Sequence, residues 1–432
     1  MSVTLATGPL ALLRRARSFR YLFVATLESG LGTWLAVVAL TVDVFDRTHS
    51  GKWVSALLIA SFVPSVGVGL GFGPLLDRLS RQRVMVAADL TRAAVFCALP
   101  FTSTAGGIVA LAAVAGLATG FFTPAVYAGL PNLVDDADLS GANSLFRSMD
   151  YLASAVGPLL GGVLVAAAGP HPAYWINASS FLCSAVLIAR IPQRLLQSER
   201  AESRGYWRDV ADGFLLVVRS RPLLTVLLAW SVAVVGNGGV NVAEVVLAKV
   251  TFSAGTFGFG LLSAGSGVGL VFGSFGASMI LSKRPLYAVY AAALALMAFG
   301  IGAAAASPNV WIAAACVVVS GFGNGTAVVC NALLVQRGAP DVLRGRAFTL
   351  IMSTNFAVLA VAMVAAGPLT DAVGPRWVWG GAAVLAGLAS GIGLAMTRGL
   401  PRAAAEGMPE AVAEPPPVPE PEPVATPVER PV

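Results

Sequence analysis

Glu28, Asp43 and Glu244 are acids set inside long apolar runs, where a carboxylate has few groups to bind. In such surroundings a carboxylate must face a polar cavity, find a donor, or hold a proton for part of a cycle. All three are therefore candidate proton-coupling groups. Glu28 lies about eight residues, roughly 12 Å along a helix, beyond the start of its run. Gly32 follows one turn later and leaves room beside it; a static interhelical hydrogen bond is the alternative role. Asp43 is nearer the end of the run, where an interfacial position would also suit it. Glu244 completes a stripe with Asn237 and Asn241, whose spacing puts all three on one helix face. In "VAADLTRAAVF" (86–96), Asp89 and Arg92 stand three apart, close enough to pair. The stretch "GPLLDRLSRQR" (73–83) crowds one aspartate and three arginines between two apolar runs, in a chain only 12% charged.

The elements that must hold these groups are membrane helices. The chain has 432 residues, 56% of them hydrophobic, and a mean hydropathy of +0.78, far from the balance of a water-soluble protein. Apolar runs long enough to cross about 30 Å of hydrocarbon recur along it. They are continuous rather than alternating, which excludes a β-barrel. Twelve spans are predicted, at 20–42, 53–76, 84–104, 107–130, 142–166, 172–190, 222–247, 256–281, 285–306, 309–335, 346–368 and 375–397. The expected fold is an all-α polytopic membrane protein. Basic residues gather in alternate loops, so the rule that positive charge stays inside places both termini in the cytoplasm, in a bacterial inner membrane. That distribution accounts for the net charge of +6 without a nucleic-acid partner.

The longest polar connection, 191–221, divides the spans into six-helix bundles at 20–190 and 222–398, preceded by a cytoplasmic segment at 1–19. Internal echoes support two pseudo-symmetric halves: "RSFR" (17–20) with "RSRP" (219–222), and "ADLSGANS" with "PDVLRGRAF". From 399 to 432 a Pro- and Glu-rich composition gives an expected disordered cytoplasmic tail. Cys97, Cys183, Cys316 and Cys330 all fall within spans and read as small buried apolar residues. No G-x-x-x-x-G-K-[ST] loop is present for ATP, and His49 and His171 lack metal-ligand spacing. The expectation is no catalysis, no metal and no cofactor, with a proton gradient as the energy source.

Here the motifs carry a family resemblance. "GPLLDRLSRQR" resembles the G-x-L-x-D-R-x-G-R-[KR] loop of the major facilitator superfamily, with Gly73, Leu75, Asp77, Arg78 and Arg81 in place. Ser80 stands where glycine is usual, and Gln82 interrupts the basic pair. The resemblance implies a cytoplasmic gate formed by Gly73, Asp77, Arg78 and Arg81, supported by the Asp89 and Arg92 pair. "AADLTRA" further resembles the drug-exporter branch that includes macrolide-efflux and enterobactin-export proteins. "ASAVGPLLGG" (153–162) is similar to the antiporter signature G-x-x-x-G-P-x-x-G-G, matching at Gly157, Pro158, Gly161 and Gly162, with Ala153 replacing the first glycine. The arginine usual in span four is missing, so its proton-relay role does not carry over. In the family fold, spans one, four, seven and ten line a central cavity. That implies Thr119, Thr123 and Tyr127, Asn237 and Asn241, and Asn324 and Asn331 as cavity or substrate-binding candidates. The expected function is secondary export of a small organic or amphiphilic compound by proton antiport and alternating access. The expected partners are that small molecule and membrane lipid, in a monomer. An importer or facilitator of the same fold, or a non-transporting scaffold or receptor, are the alternatives.

Overall fold

The computed structural model describes residues 9–71, 79–135, 138–196, 214–339 and 344–397. Gly73, Asp77, Arg78, most of the 191–221 connection and the tail lie outside the described residues. Among the described residues, a short helix, Pro9–Arg15, precedes twelve long ones: α1 (Arg17–Thr48), α2 (Gly51–Gly71), α3 (Arg81–Ala98), α4 (Ala105–Gly129), α5 (Leu139–Ala168), α6 (Pro170–Ala189), α7 (Arg221–Val246), α8 (Gly255–Leu281), α9 (Leu286–Ala306), α10 (Val310–Gly338), α11 (Arg344–Val373) and α12 (Pro375–Thr397). All twelve are long and apolar enough to cross a membrane. A helix satisfies its own backbone, which is what hydrocarbon demands of a spanning segment. Large apolar side chains accordingly face outward, Phe101 at 80% and Trp377 at 77% exposure among them.

Among the described residues each predicted span contains a helix, and α1 is longer than its span. It runs through "DVFDRT" because those polar residues extend the helix past the apolar run without leaving a backbone group unpaired, until His49 turns left-handed at φ 49°. Side-chain caps start others: Thr104 Oγ1 accepts from Gly107 N at 3.1 Å, and Asn309 Oδ1 accepts from Trp311 N and Ile312 N at 3.1 and 3.0 Å. Two joints repeat. Gly169 at φ 77° followed by Pro170 links α5 to α6, and Gly374 at φ 87° followed by Pro375 links α11 to α12. Glycine supplies the left-handed turn and proline a ready first helical residue.

Helices α1–α6 pack chiefly on one another, α1 against α5 and α6, α2 against α4, and α3 against α4 and α6. Helices α7–α12 do the same, α7 against α11 and α12, and α9 against α10 and α12. Two extensive pairings cross between the groups, α2 with α11 and α5 with α8. Within the groups, glycines let backbones touch: a Cβ on Gly120 of α4 would lie 2.6 Å from Ser65 O of α2, and one on Gly325 of α10 would run into Leu270 O of α8. Such sites cannot yield, because the obstacle is backbone. Gly120→Leu is expected to cost about 1–3 kcal/mol through overpacking and to lower the melting temperature in detergent. Gly391→Leu, where a Cβ meets nothing within 4 Å, should leave it unchanged.

Candidate functional site

Two polar stripes run along helices of opposite bundles. On α4, Thr119 is half-buried while Thr123 and Tyr127 are exposed, so the stripe opens progressively toward the face that carries the arginine-rich loops. The adjacent face of α4, at Gly116 and Gly120, is taken up by Ser61 and Ser65 of α2. Thr119 Oγ1 turns onto its own helix, donating to Ala115 O at 2.9 Å. The Tyr127 hydroxyl donates to Asp150 Oδ2 of α5 at 3.3 Å, with Arg147 one turn earlier. On α7, Gly236 and Gly239 pack on Ala382 and Val378 of α12, and Gly238 on Ala362 of α11. That phase leaves Asn237, Asn241 and Glu244 turned toward α8 and the space between the bundles. Glu244 Oε1 accepts from Ser263 of α8 at 2.8 Å. On α10, Gly321 and Gly325 meet α8 and Gly323 meets α9. Asn324 is half-buried, and Asn331 is buried with its Oδ1 unpartnered.

The other acids of the first half point elsewhere. Asp43 accepts from Arg47 Nε and Nη2 at 2.6 and 3.1 Å and from the Tyr174 hydroxyl at 2.9 Å, while Arg47 also donates to Thr102 O at 2.8 Å. Both carboxylate oxygens are thus occupied between α1 and α6, and Arg47 ties the clamp to the turn after α3. Glu28 shares a helix face with Gly32, whose missing Cβ makes room for Asn177 and Ser180 of α6. Its carboxylate turns to Cys183 of α6, and Oε1 is buried without a partner. Of the sequence alternatives, helix phase favours a neighbour within the bundle over the central cavity. Asp89 and Arg92 pair, both buried; Ser184 Oγ donates to Asp89 Oδ2 at 2.7 Å. The Arg92 guanidinium lies 4.2 and 4.3 Å from the ring centroids of Phe122 and Phe181. Arg81 Nη1 donates to Ala128 O and Leu196 O at 2.8 and 3.0 Å.

Between the bundles the contacts are close. Gly157 and Gly161 of α5 fit against α1, at Trp34 and Leu35, whereas Gly162 meets Gly260 of α8 across the seam, beside Pro158 O. Gly267 of α8 meets Ser154 and Ala155. At the face opposite the arginine-rich loops, Gly367 of α11 lies on Gly51, Lys52 and Ser55 of α2. Asp371 caps α2 there: Oδ1 accepts from Gly51 N at 2.5 Å, and Oδ2 from Ser50 Oγ at 2.7 Å and Lys52 N at 3.4 Å. A carboxylate at a helix N-terminus satisfies free amides and meets the positive end of the helix dipole. Ser55 Oγ donates to Met363 O, and Lys249, in the π-helical turn Leu247–Thr251 after α7, pairs with Asp46 of α1.

The Major Facilitator Superfamily model matches residues 22–363. The chain belongs to the Major Facilitator Superfamily. It is 26% identical over 367 residues to the multidrug efflux pump Tap of Mycolicibacterium fortuitum, covering 81% of this chain and 88% of that one. It is also 26% identical over 375 residues to the MFS-type transporter YfiS of Bacillus subtilis, covering 84% and 89%. Among solved structures, the nucleoside transporter NupG superposes with a TM-score of 0.67 at 14% identity, covering 88% of this chain and 99% of that one. A bacterial homologue of the iron transporter ferroportin gives 0.71 at 15% identity, covering 88% and 98%. These relatives are transporters, and the chain is an integral membrane transport protein rather than an enzyme. Among the described residues, no group of three or more His, Cys, Asp or Glu is placed to hold a metal.

Sequence reasoning passed over Asp371, Asp150 and the Asp46 and Lys249 pair. A signal for Asp371 was present: "GPLTD" (367–371) near the end of α11 repeats "GPLLD" (73–77), which follows α2. Asp150 sits in "RSMDYLASAVGP", as many residues into span five as Glu28 is into span one. With the native cysteines replaced and Thr370→Cys as a reporter buried at the α2 and α11 seam, Asp371→Ala should speed modification by an impermeant maleimide about tenfold, as for loss of an interaction near 1.4 kcal/mol. Equal rates with and without Asp371 would mean that its cap does not hold this face shut.

Proposed function

We propose that this transporter is a secondary exporter, which takes a small amphiphilic or cationic organic compound from the cytoplasm or inner leaflet and releases it outward in exchange for protons. The observation that carries the reading is the division of polar contacts. Asp43 with Arg47 and Tyr174, and Asp89 with Arg92 and Ser184, are buried contacts inside the first bundle, whereas the seam is closed at one face by a few hydrogen bonds and an ion pair that separation would release. Resemblance to the drug-exporter branch through "AADLTRA", and the likeness to Tap, support export of organic compounds. The arginine-rich face is the cytoplasmic one, with both termini there and the protein in the bacterial inner membrane, on the distribution of basic residues.

In this reading the stripes at Thr119, Thr123 and Tyr127 and at Asn237, Asn241, Asn324 and Asn331 serve the cargo, joined by Asp150 near the cytoplasmic mouth. Glu244 and Glu28 are the coupling candidates, and the doubly clamped Asp43 is an anchor. Protonation favours one orientation and cargo the other, so each biases the same equilibrium. Asp371 holds the outer face while the cavity faces inward. Asp77, in the matching GPLLD sequence, takes that part at the cytoplasmic face in the outward-facing state, together with Arg78 and Arg81 of the same motif, and the Asp89 and Arg92 pair supports it. A monomer suffices for all these steps.

Purified protein in proteoliposomes, with ethidium as the cargo probe, tests the reading. An imposed proton gradient should drive ethidium against its own gradient toward the side releasing protons, and a protonophore should abolish this. Ethidium or related organic cations moving only downhill, with no accompanying proton flux, would contradict antiport.

A further inference from the structure

The first bundle contains a charge imbalance. Asp89 of α3 is buried completely, bonded by Arg92 and by Ser184 of α6, and lies within electrostatic reach of Glu28 of α1. Two carboxylates therefore share one neighbourhood with one guanidinium. Arg92 is held between Phe122 and Phe181, and its Nε is buried without a partner. Glu28 Oε1 is also buried and unpartnered. Fully ionised, the group would hold a net charge of minus one in hydrocarbon, which is costly. One added proton makes it neutral.

Among the described residues, Arg92 is the one basic group bonded to either carboxylate. Cys183 of α6 meets Glu28, and Arg190, nearer the arginine-rich end, acts on Cys183. α5 packs on α1 through Ala153, Gly157 and Gly161, at Gly30, Trp34 and Leu35, and its Asp150 is engaged with Tyr127 and Arg147. The described part of α2 carries only Lys52, at the opposite face, and Tyr127 of α4 is engaged with Asp150.

We propose that Glu28, Asp89 and Arg92 form a one-proton binding site between α1, α3 and α6, outside the cargo cavity. The Glu28 carboxylate takes up the proton and passes from minus one to zero, while Asp89 stays ionised against Arg92. When the proton leaves, a second negative charge stands near the Asp89 and Arg92 pair, with one guanidinium to balance both. The charge left on Glu28 acts where α1 packs on α6, and α1 also packs on α5, which carries the seam. Proton and cargo then act on one equilibrium without sharing a pocket. This rests on the antiport reading for its purpose, but the site can be tested without cargo.

Infrared difference spectra of the purified protein in lipid should show a protonated carboxyl stretch that fades as pH rises. Glu28→Gln should remove it and leave the melting temperature within a few degrees. Asp89→Asn should remove it too, because Glu28 then ionises against Arg92. The double variant leaves Arg92 unpaired and should melt well below either single one. In proteoliposomes Glu28→Gln should cut proton flux at least tenfold while downhill ethidium movement persists. A carboxyl band unchanged in Glu28→Gln, or surviving in a folded Asp89→Asn, overturns the site; if Asp89→Asn does not fold, the Glu28→Gln spectrum decides alone. Should the parent protein show no proton-coupled flux while the bands behave as stated, antiport fails and the proton site stands.

Discussion

The cap that Asp371 places on the first turn of α2 is the contact on which the account of this molecule turns. It joins the two bundles at a point where their backbones already touch through Gly51 and Gly367. It is polar and sits at the end of the spans, so its groups can be rehydrated when the seam parts. A charge-assisted bond of this kind is worth about 1.5–3 kcal/mol, enough to bias two orientations and too little to trap one. A greasy seam of equal area would lack that reversibility.

Hydrocarbon imposes the complementary rule on the bundle interiors. Asp43 is tied by Arg47 and Tyr174, Asp89 by Arg92 and Ser184, and Glu244 by Ser263. A static ion pair in such surroundings is hard to break, because separating it leaves a buried charge. Glycines act with these pairs to set how the bundles move. Gly116, Gly120, Gly321 and Gly325 lock helices within a bundle, while Gly162 and Gly260 let α5 and α8 meet across the seam without interlocking side chains. Each half can therefore move as a unit, pivoting on thin contacts. The motif at 153–162 serves both purposes, since Gly157 and Gly161 face inward to α1 while Gly162 faces the other half.

Much of this was legible in the sequence. Apolar runs gave all twelve helices because a spanning segment in lipid has almost no alternative to a helix. Their ends were less legible: "DVFDRT" is polar, yet it continues α1, since helix propagation and hydropathy are separate constraints. The Asp89 and Arg92 pairing followed from spacing alone. The direction of Glu28 did not, because one helix shows its phase only against its neighbours, and here Gly32 fixes that phase by admitting Asn177 and Ser180. Asp371 needed the crossing of α2 by α11, a contact between residues more than 300 apart in sequence. Only afterwards does the repetition of GPLLD as GPLTD acquire meaning.

Alternating access is the central claim, and paired spin-label distances in lipid nanodiscs test it most directly. One pair, Arg194→Cys with Arg284→Cys, reports separation of the bundles at the arginine-rich face; the other, Ser103→Cys with Pro308→Cys, reports it at the opposite face. Each pair should show a short and a long distance, with the two faces changing in opposite senses as pH is varied, and Asp371→Ala should raise the long-distance fraction at the Ser103 face while lowering it at the Arg194 face. A single fixed distance at both faces, or both widening together, would contradict the account.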